Sequence, residues 1–135
     1  MFALVLVAAL LGPAVAADGP ATVIVGATLV DGGATAAVVD SVLIMRGGLI
    51  TAVGDRIHTP IPKGASLVDG RRAWLAPAPA SGASGESISA LVRGPAARLL
   101  PGQPAHIALL ATDPRGGPAA MRRLWTAGRE STDKR

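Results

Sequence analysis

The sequence predicts a mainly β fold, a small β-sandwich of two thin layers with one short helix. First, 135 residues provide room for a single domain. Second, half of the residues are apolar but only 2% are aromatic, so the core must consist of Val, Ile, Leu and Ala, which suit thin β layers. Third, residues 41–54 read SVLIMRGGLITAVG, in which two short apolar runs flank a pair of glycines.

That third stretch predicts an antiparallel β-hairpin. Ser41–Met45 is rich in strand-forming residues, and Leu49–Val53 returns as the second strand. Gly47 and Gly48 suit a tight turn that needs positive φ at both central positions. The pair is not a phosphate-binding loop, because no Lys-Ser/Thr follows it and no helix opens after it.

The N-terminal residues 1–17 are predicted to be a signal peptide. Phe2–Leu11 is continuously apolar, Gly12-Pro13 interrupts it, and Ala14-Val15-Ala16 fits a small-x-small cleavage site. The run is shorter than the roughly 20 apolar residues that span a bilayer. We therefore expect a secreted or periplasmic protein with no stable membrane anchor after cleavage. Since no basic side chain precedes the apolar run, the alternative is a cytoplasmic protein whose N-terminus is not a functional signal.

Residues 18–75 are expected to form the first half of the sandwich. Between its strands, residues 55–64 contain two prolines and cannot be a central strand. Besides the hairpin, the apolar runs predict strands over Ala21–Val30, with a break at Gly26, and over Ala65–Val68 and Arg71–Leu75. Trp74 and Trp125 are the only large aromatic residues after Phe2, so both are expected to pack into or beside the core.

Residues 76–85, APAPASGASG, are predicted to be a linker because prolines, serines and glycines occur there without an apolar period. The second half of the sandwich, residues 86–130, follows. It begins with a predicted helix over Glu86–Val92, which Ser84 caps. A further helical turn is expected over 96–100, then strands over Ala105–Ala111 and Met121–Ala127. The polar tail 131–135 is expected to fray.

Composition excludes several classes of site. The absence of cysteine excludes disulfides, thiolate metal sites and a cysteine nucleophile. The net charge is +4, but the 13 Lys and Arg residues are dispersed and few aromatics accompany them. Nucleic-acid binding usually requires a clustered basic patch with stacking aromatics, so no nucleic-acid partner is expected.

Candidate catalytic residues are few. A hydrolytic metal centre needs a fixed cluster of nitrogen and oxygen ligands with an open position for water. The two histidines, His58 and His106, are far apart in the sequence, and with Asp113 they are the least implausible metal ligands. Serines near the linker have no G-x-S-x-G context that would make one of them a nucleophile: Ser81, Ser84, Ser87 and Ser89. We therefore predict no catalytic residue, no metal site and no cofactor.

The first half resembles the N-terminal part of the amidohydrolase superfamily, the metal-dependent hydrolases. The resemblance lies in an ordered series of short motifs over Val23–Leu75. They are a strand ending in V-D-G (Leu29–Gly32), a G-x-I-x-x-V-G hairpin (Gly48–Gly54), a second V-D-G (Val68–Gly70) and W-L-x-P (Trp74–Pro77).

The second half is similar to the C-terminal segment of the same family. There the family has a P-A-R turn, a P-G turn, an A-D-L strand, a D-P loop and a terminal G-R. The matching residues here are Ala96–Arg98, Pro101-Gly102, Ala105–Ile107, Asp113-Pro114 and Gly128-Arg129, with His106 in place of the family's aspartate.

The catalytic barrel of that family has no counterpart here. In the family, the proline that corresponds to Pro77 leads to an H-x-H pair on the first barrel strand, and this sequence contains no H-x-H. A catalytic (β/α)8 barrel takes about 250 residues, whereas here only residues 76–85 separate the two halves. The resemblance implies a composite β-sandwich whose halves are joined directly.

Two functions from different classes follow from the resemblance. The first is a truncated amidohydrolase-like protein that is not catalytic alone, a β-sandwich remnant that is either a decayed gene product or a small interaction module. The alternative is a component of a metal-dependent hydrolase acting on carbon–nitrogen bonds other than peptide bonds, completed by a separately encoded barrel chain. Self-association is the other partnership considered.

Overall fold

The computed structural model describes residues 19–32, 36–94 and 97–131. They form a four-stranded sheet in the order β4-β3-β1-β5 and a five-stranded sheet in the order β2-β6-β7-β8-β9. The predicted signal peptide and the tail residues 132–135 lie outside the described residues. The elements are β1 (Thr22–Val25), β2 (Thr28–Leu29), β3 (Ser41–Arg46), β4 (Leu49–Asp55), β5 (Ser66–Asp69), β6 (Trp74–Pro77), helix α1 (Gly85–Arg93), β7 (Ile107–Leu110), a 3-10 turn (Pro114–Gly116), β8 (Met121–Thr126) and β9 (Arg129–Glu130).

This architecture confirms the predicted fold class, a mainly β domain of two sheets with one short helix. The predicted hairpin is β3–β4, antiparallel, with φ of 59° at Gly47 and 85° at Gly48. Its register shifts by one residue at Thr51, because Met45 pairs with Ile50 while Ile44 pairs with Ala52. This bulge brings Ile50 to the core between the sheets and leaves Ala52 on the outer face of the first sheet.

The largest departures from the predicted strand bounds are in two apolar runs. The run Ala21–Val30 is two strands, because the chain leaves the first sheet after β1 and joins the second sheet as β2. The run Arg71–Leu75 becomes a strand only at Trp74, since Arg71 and Arg72 form a turn in which Arg72 has a φ of 65°. Apolar pattern alone does not show where a chain changes sheets.

The connection between the two halves is shorter than predicted. β6 continues to Pro77 and α1 begins at Gly85, so only residues 78–84 are irregular. Ser84 caps α1 as predicted: its Oγ accepts a hydrogen bond from the backbone N–H of Ser87, at 3.1 Å. The expected further helical turn over 96–100 does not form within residues 97–100, which have no helical structure.

The core has three layers of buried apolar side chains. The main cluster lies between the sheets and includes Ile24, Leu43 and Trp125, which is 2% exposed. A second cluster fills the space between the outer face of the second sheet and α1, where half-buried Trp74 packs. The prediction that both tryptophans pack into or beside the core is therefore confirmed. The third cluster lies on the outer face of the first sheet.

The two halves of the sequence meet in the centre of the second sheet. β6 from the first half pairs antiparallel with β7 from the second half, from Trp74 opposite Leu110 to Pro77 opposite Ile107. The two halves thus share one sheet and one core. Within the described residues, no helix is long and apolar enough to cross a membrane.

Candidate functional site

The structure places the two histidines in separate structural roles. His58 lies in the exposed loop after β4, where its Nδ1 is 2.8 Å from the Oδ1 of Asp55. Its backbone N–H donates to that same oxygen, and this bond is the main reason that the pKa of Asp55 is lowered. His106 lies just before β7, and its Nδ1 accepts a hydrogen bond from the backbone N–H of Ala127 at 3.0 Å.

Asp113 and Ser89, two other candidates for catalysis, also make structural contacts. Asp113 accepts from the backbone N–H of Arg115 at 2.9 Å and forms an ion pair with its guanidinium, which lowers the pKa of the carboxyl. The Oγ of Ser89 is buried and donates to the carbonyl of Pro114. Among the residues that the structure describes, no three His, Asp or Glu side chains lie close enough together to hold a metal ion.

Two of the motifs that the sequence analysis identified are partners in space. The carboxylate of Asp31, in the first V-D-G turn, accepts from the backbone N–H of Leu99 at 2.9 Å and from Nε of Arg98 at 3.3 Å. Next to it, the backbone N–H of Gly32 donates to the carbonyl of Ala97. A Cβ on Gly32 would collide with the carbonyl oxygen of Gly94. These motif residues therefore hold the two halves of the sandwich together.

A concave surface lies beside strand β5. A cavity of about 340 Å³ is lined by apolar residues, among them Ile61 and Leu67, and by Arg56 and Arg71. A second cavity of about 460 Å³ adjoins it and is lined by Asp69, Arg71 and Arg72. We call the two together the β5 groove.

Electrostatics make the rim of the β5 groove cationic. Arg71 forms an ion pair with Asp69 at 2.9 Å and lowers the pKa of that carboxyl to about 2. Arg56 pairs with Asp40 at 2.7 Å, and this hydrogen bond raises the pKa of the guanidinium. The positive charge of Arg71 slightly opposes that rise in the pKa of Arg56. Arg72 adds a third positive charge, so the three cations exceed the two carboxylates.

The sequence analysis did not single out these arginines. Their positions, in the segments D-R at 55–56 and D-G-R-R at 69–72, resemble ordinary charged turns. Residues 56 and 71 come together only because the end of β4 and the turn after β5 lie at the same end of the first sheet. Val25 and Val42 pair at that end, next to Asp69 and Gly54. In the sequence, the one indication of a cationic site is the pair of adjacent arginines after the second V-D-G turn.

Comparison with known proteins finds fragmentary likeness. No protein-family model and no curated protein matches this sequence. Among solved structures, molinate hydrolase is 29% identical over 44% of this chain and 13% of its own, with a TM-score of 0.39. Phenylurea hydrolase B is 35% identical over 42% of this chain and 12% of its own, with a TM-score of 0.39.

A prolidase-like protein from Bifidobacterium longum is 24% identical over 44% of this chain and 15% of its own, with a TM-score of 0.40. The matched part of this chain therefore covers at most 15% of each of these three structures. Each match relates a fragment of this chain to a fragment of a larger protein, and TM-scores below 0.5 carry no argument about activity.

Proposed function

We propose that this chain is a composite β-sandwich of the amidohydrolase type without a catalytic barrel, and that it does not hydrolyse substrates by itself. The observation that carries the proposal is the direct pairing of β6 with β7. The last strand of the first half and the first strand of the second half are neighbours, with residues 78–84 and α1 among the segments between them. A barrel is not needed to bring the two halves together.

The contacts of the motif residues support the same proposal. Asp31 bonds to Leu99 and Arg98, and the turn at Gly48 contacts the turn at Gly128. The residues that resemble the family thus account for the assembly of a sandwich. Hydrolysis of an unactivated amide at neutral pH needs a metal-bound water or an activated nucleophile. His58, His106 and Asp113 each serve a different local contact in the described structure.

The test is a metal analysis of the purified chain together with an assay for hydrolysis of cyclic amides in added zinc or manganese. We expect neither stoichiometric metal nor turnover. Metal-dependent turnover that disappears in His58→Ala or His106→Ala would overturn the proposal. Since His106 also holds Ala127, the unfolding midpoint of His106→Ala must be measured beside its activity, so that loss of a site is distinguished from loss of the fold.

The partner and the location of the chain belong to the same proposal. In its alternative form, the chain completes a hydrolase for non-peptide carbon–nitrogen bonds together with a separate barrel chain. Co-expression with neighbouring reading frames that encode an H-x-H barrel without a sandwich tests this form. Export is tested by mass spectrometry, in which we expect loss of the first 16 or 17 residues, as the Ala14-Val15-Ala16 site predicts. An intact cytoplasmic N-terminus would reject export.

A further inference from the structure

The outer edge of strand β5 is open among the described residues. In the same sheet, residues 102–104 cover the start of β4, because Ile50 donates to the carbonyl of Gln103 and accepts from Gly102. In the second sheet, β2 is bridged to Val38, and β9 is only two residues long. β5 pairs with β1 on one side, and no described strand pairs with its other side.

The backbone of β5 has hydrogen-bonding groups directed at that open side. Ser66 donates to Ala21 and Gly70 donates to Val25, so the N–H groups of alternate residues from 66 to 70 point toward β1. The N–H groups of the residues between them, Leu67 and Asp69, point away from β1. An open edge of this kind is a template for a further strand.

Apolar side chains are concentrated around the same edge. Leu67 on β5 is 63% exposed, although it is a large apolar residue in a strand. Ile61 lines the β5 groove beside it. Val39 and Ile57 are also exposed and adjoin the Asp40–Arg56 ion pair. Two of the six exposed large hydrophobic residues, Ile61 and Leu67, therefore line this groove, and exposed apolar side chains in a groove are typical of interaction sites.

Positive charges occur at both ends of β5. Exposed Lys63 precedes the strand, and Arg71 and Arg72 follow it. A second copy of this chain that paired antiparallel along β5 would bring the lysine end of one copy against the arginine end of the other. Like charges would then meet at both ends of the new strand pair, which disfavours self-association. The charge pattern instead complements a strand with acidic residues on both sides of an apolar centre.

We propose that the β5 edge binds an extended segment of a partner protein, with an apolar centre and acidic flanks, by strand addition. Backbone hydrogen bonds from Leu67 and Asp69 align the segment. The apolar lining of the β5 groove receives the central side chain of the segment, and Arg71 and Arg72 bind its acidic flank. The inference does not depend on the absence of hydrolysis, because the groove contains neither histidine nor Asp113.

The test uses the full chain and a labelled synthetic hexapeptide of alternating valine and threonine with glutamate at both ends. A peptide with lysine in place of each glutamate is the control. We expect chemical-shift changes centred on backbone amides 66–71 with the acidic peptide only, and binding that weakens as salt is raised. Changes of equal size with the lysine peptide, or none at residues 66–71 with millimolar acidic peptide, would overturn the proposal.

Matched variants separate the groove from general charge. The double variant Arg71→Ser, Arg72→Ser should weaken peptide binding at least tenfold. The double variant Arg122→Ser, Arg129→Ser removes the same charge from the second sheet and should change the peptide affinity less than twofold. Leu67→Ser removes an exposed side chain, so the core stays intact while binding falls. Equal weakening by the two arginine pairs would refute the proposal, as would concentration-dependent dimerisation through residues 66–71 without peptide.

Discussion

Gly48 and Gly128 are in direct contact although they belong to hairpins in different sheets. A Cβ built on Gly128 would lie 2.7 Å from the Cα of Gly48, closer than any real Cβ approaches a backbone atom. Gly48 accepts a backbone hydrogen bond from Ala105, and Gly128 donates to the carbonyl of Ala105. The two turns therefore join the first half of the chain to the second at one end of the sandwich.

Replacing Gly128 by alanine should destabilise the fold through both backbone strain and collision. Its φ is 78°, which costs an L-residue about 1–2 kcal/mol, and the collision with Gly48 adds a cost of about 1–3 kcal/mol. Gly82→Ala is the matched control, because Gly82 has a φ of 70° and no neighbour within 4 Å of the added Cβ. Urea unfolding should show a clearly larger loss for Gly128→Ala, and equal losses would contradict the contact.

Asp31 is expected to be the most important carboxylate for stability. Its side chain is 8% exposed and accepts the backbone N–H of Leu99, so Asp31→Ala would leave a half-buried donor without this acceptor. The expected loss is about 1–3 kcal/mol in the free energy of unfolding. Asp31→Asn retains an acceptor oxygen and should lose less. Arg98→Ala removes only the exposed partner of Asp31. If it lowers the free energy of unfolding as much as Asp31→Ala does, the ion pair dominates instead.

Stability should fall in acid, between pH 4 and pH 2. The Arg71 side chain lowers the pKa of Asp69 from the usual 3.8 to about 2, and hydrogen bonds lower the pKa of Asp40, Asp55 and Asp113. A carboxyl group whose pKa is lower in the folded state stabilises that state when the pH is above the pKa of the unfolded chain. This stabilisation disappears as the pH falls through the pKa of the folded state. Because these pairs are exposed, the effect should be modest.

Urea midpoints measured from pH 6 to pH 2 test this dependence. Arg71→Ser should flatten the acid end of the profile, because the pKa of Asp69 is then lowered less. Arg122→Ser should leave the shape of the profile unchanged, since none of the ion pairs among the described residues involves Arg122. A wild-type midpoint that stays constant from pH 4 to pH 2 would contradict the role of these carboxylates.

The two tryptophans should differ in their contribution to stability. Trp125 is 2% exposed between the sheets, so Trp125→Ala should cost about 3–5 kcal/mol. Trp74 is half-buried under α1, so Trp74→Ala should cost less. Fluorescence provides an independent measurement: Trp74→Phe leaves only Trp125, whose emission should be shifted to the blue. Emission at the wavelength of free tryptophan in that folded variant would contradict the burial of Trp125.

The connection between the halves should tolerate insertion. Ser81 and Gly82 are exposed and lie outside every strand and helix. An insertion of about six glycine and serine residues between them should cost about 1 kcal/mol or less, because loop-closure entropy grows slowly with length. The same insertion between Gly47 and Gly48 should be severely destabilising, since it breaks the hairpin turn and its contact with Gly128. Comparable losses at the two sites would contradict this distinction.

The sequence by itself determined the local elements of this protein. The apolar runs around Gly47-Gly48 predicted the β3–β4 hairpin, and Ser84 marked the start of α1, because turn and cap preferences act over a few residues. The scarcity of aromatics and the number of short apolar runs predicted a two-layered β fold. The sequence also indicated that His58, His106 and Asp113 are poor candidates for one catalytic site.

Only the tertiary structure decided which distant residues meet. It divided Ala21–Val30 between two sheets, shortened the connection to residues 78–84, and brought Asp31 to Leu99. It also placed Arg56 beside Arg71 around an open strand edge. Such contacts depend on strand order and register, and these are set by burial of the whole apolar surface rather than by any local pattern.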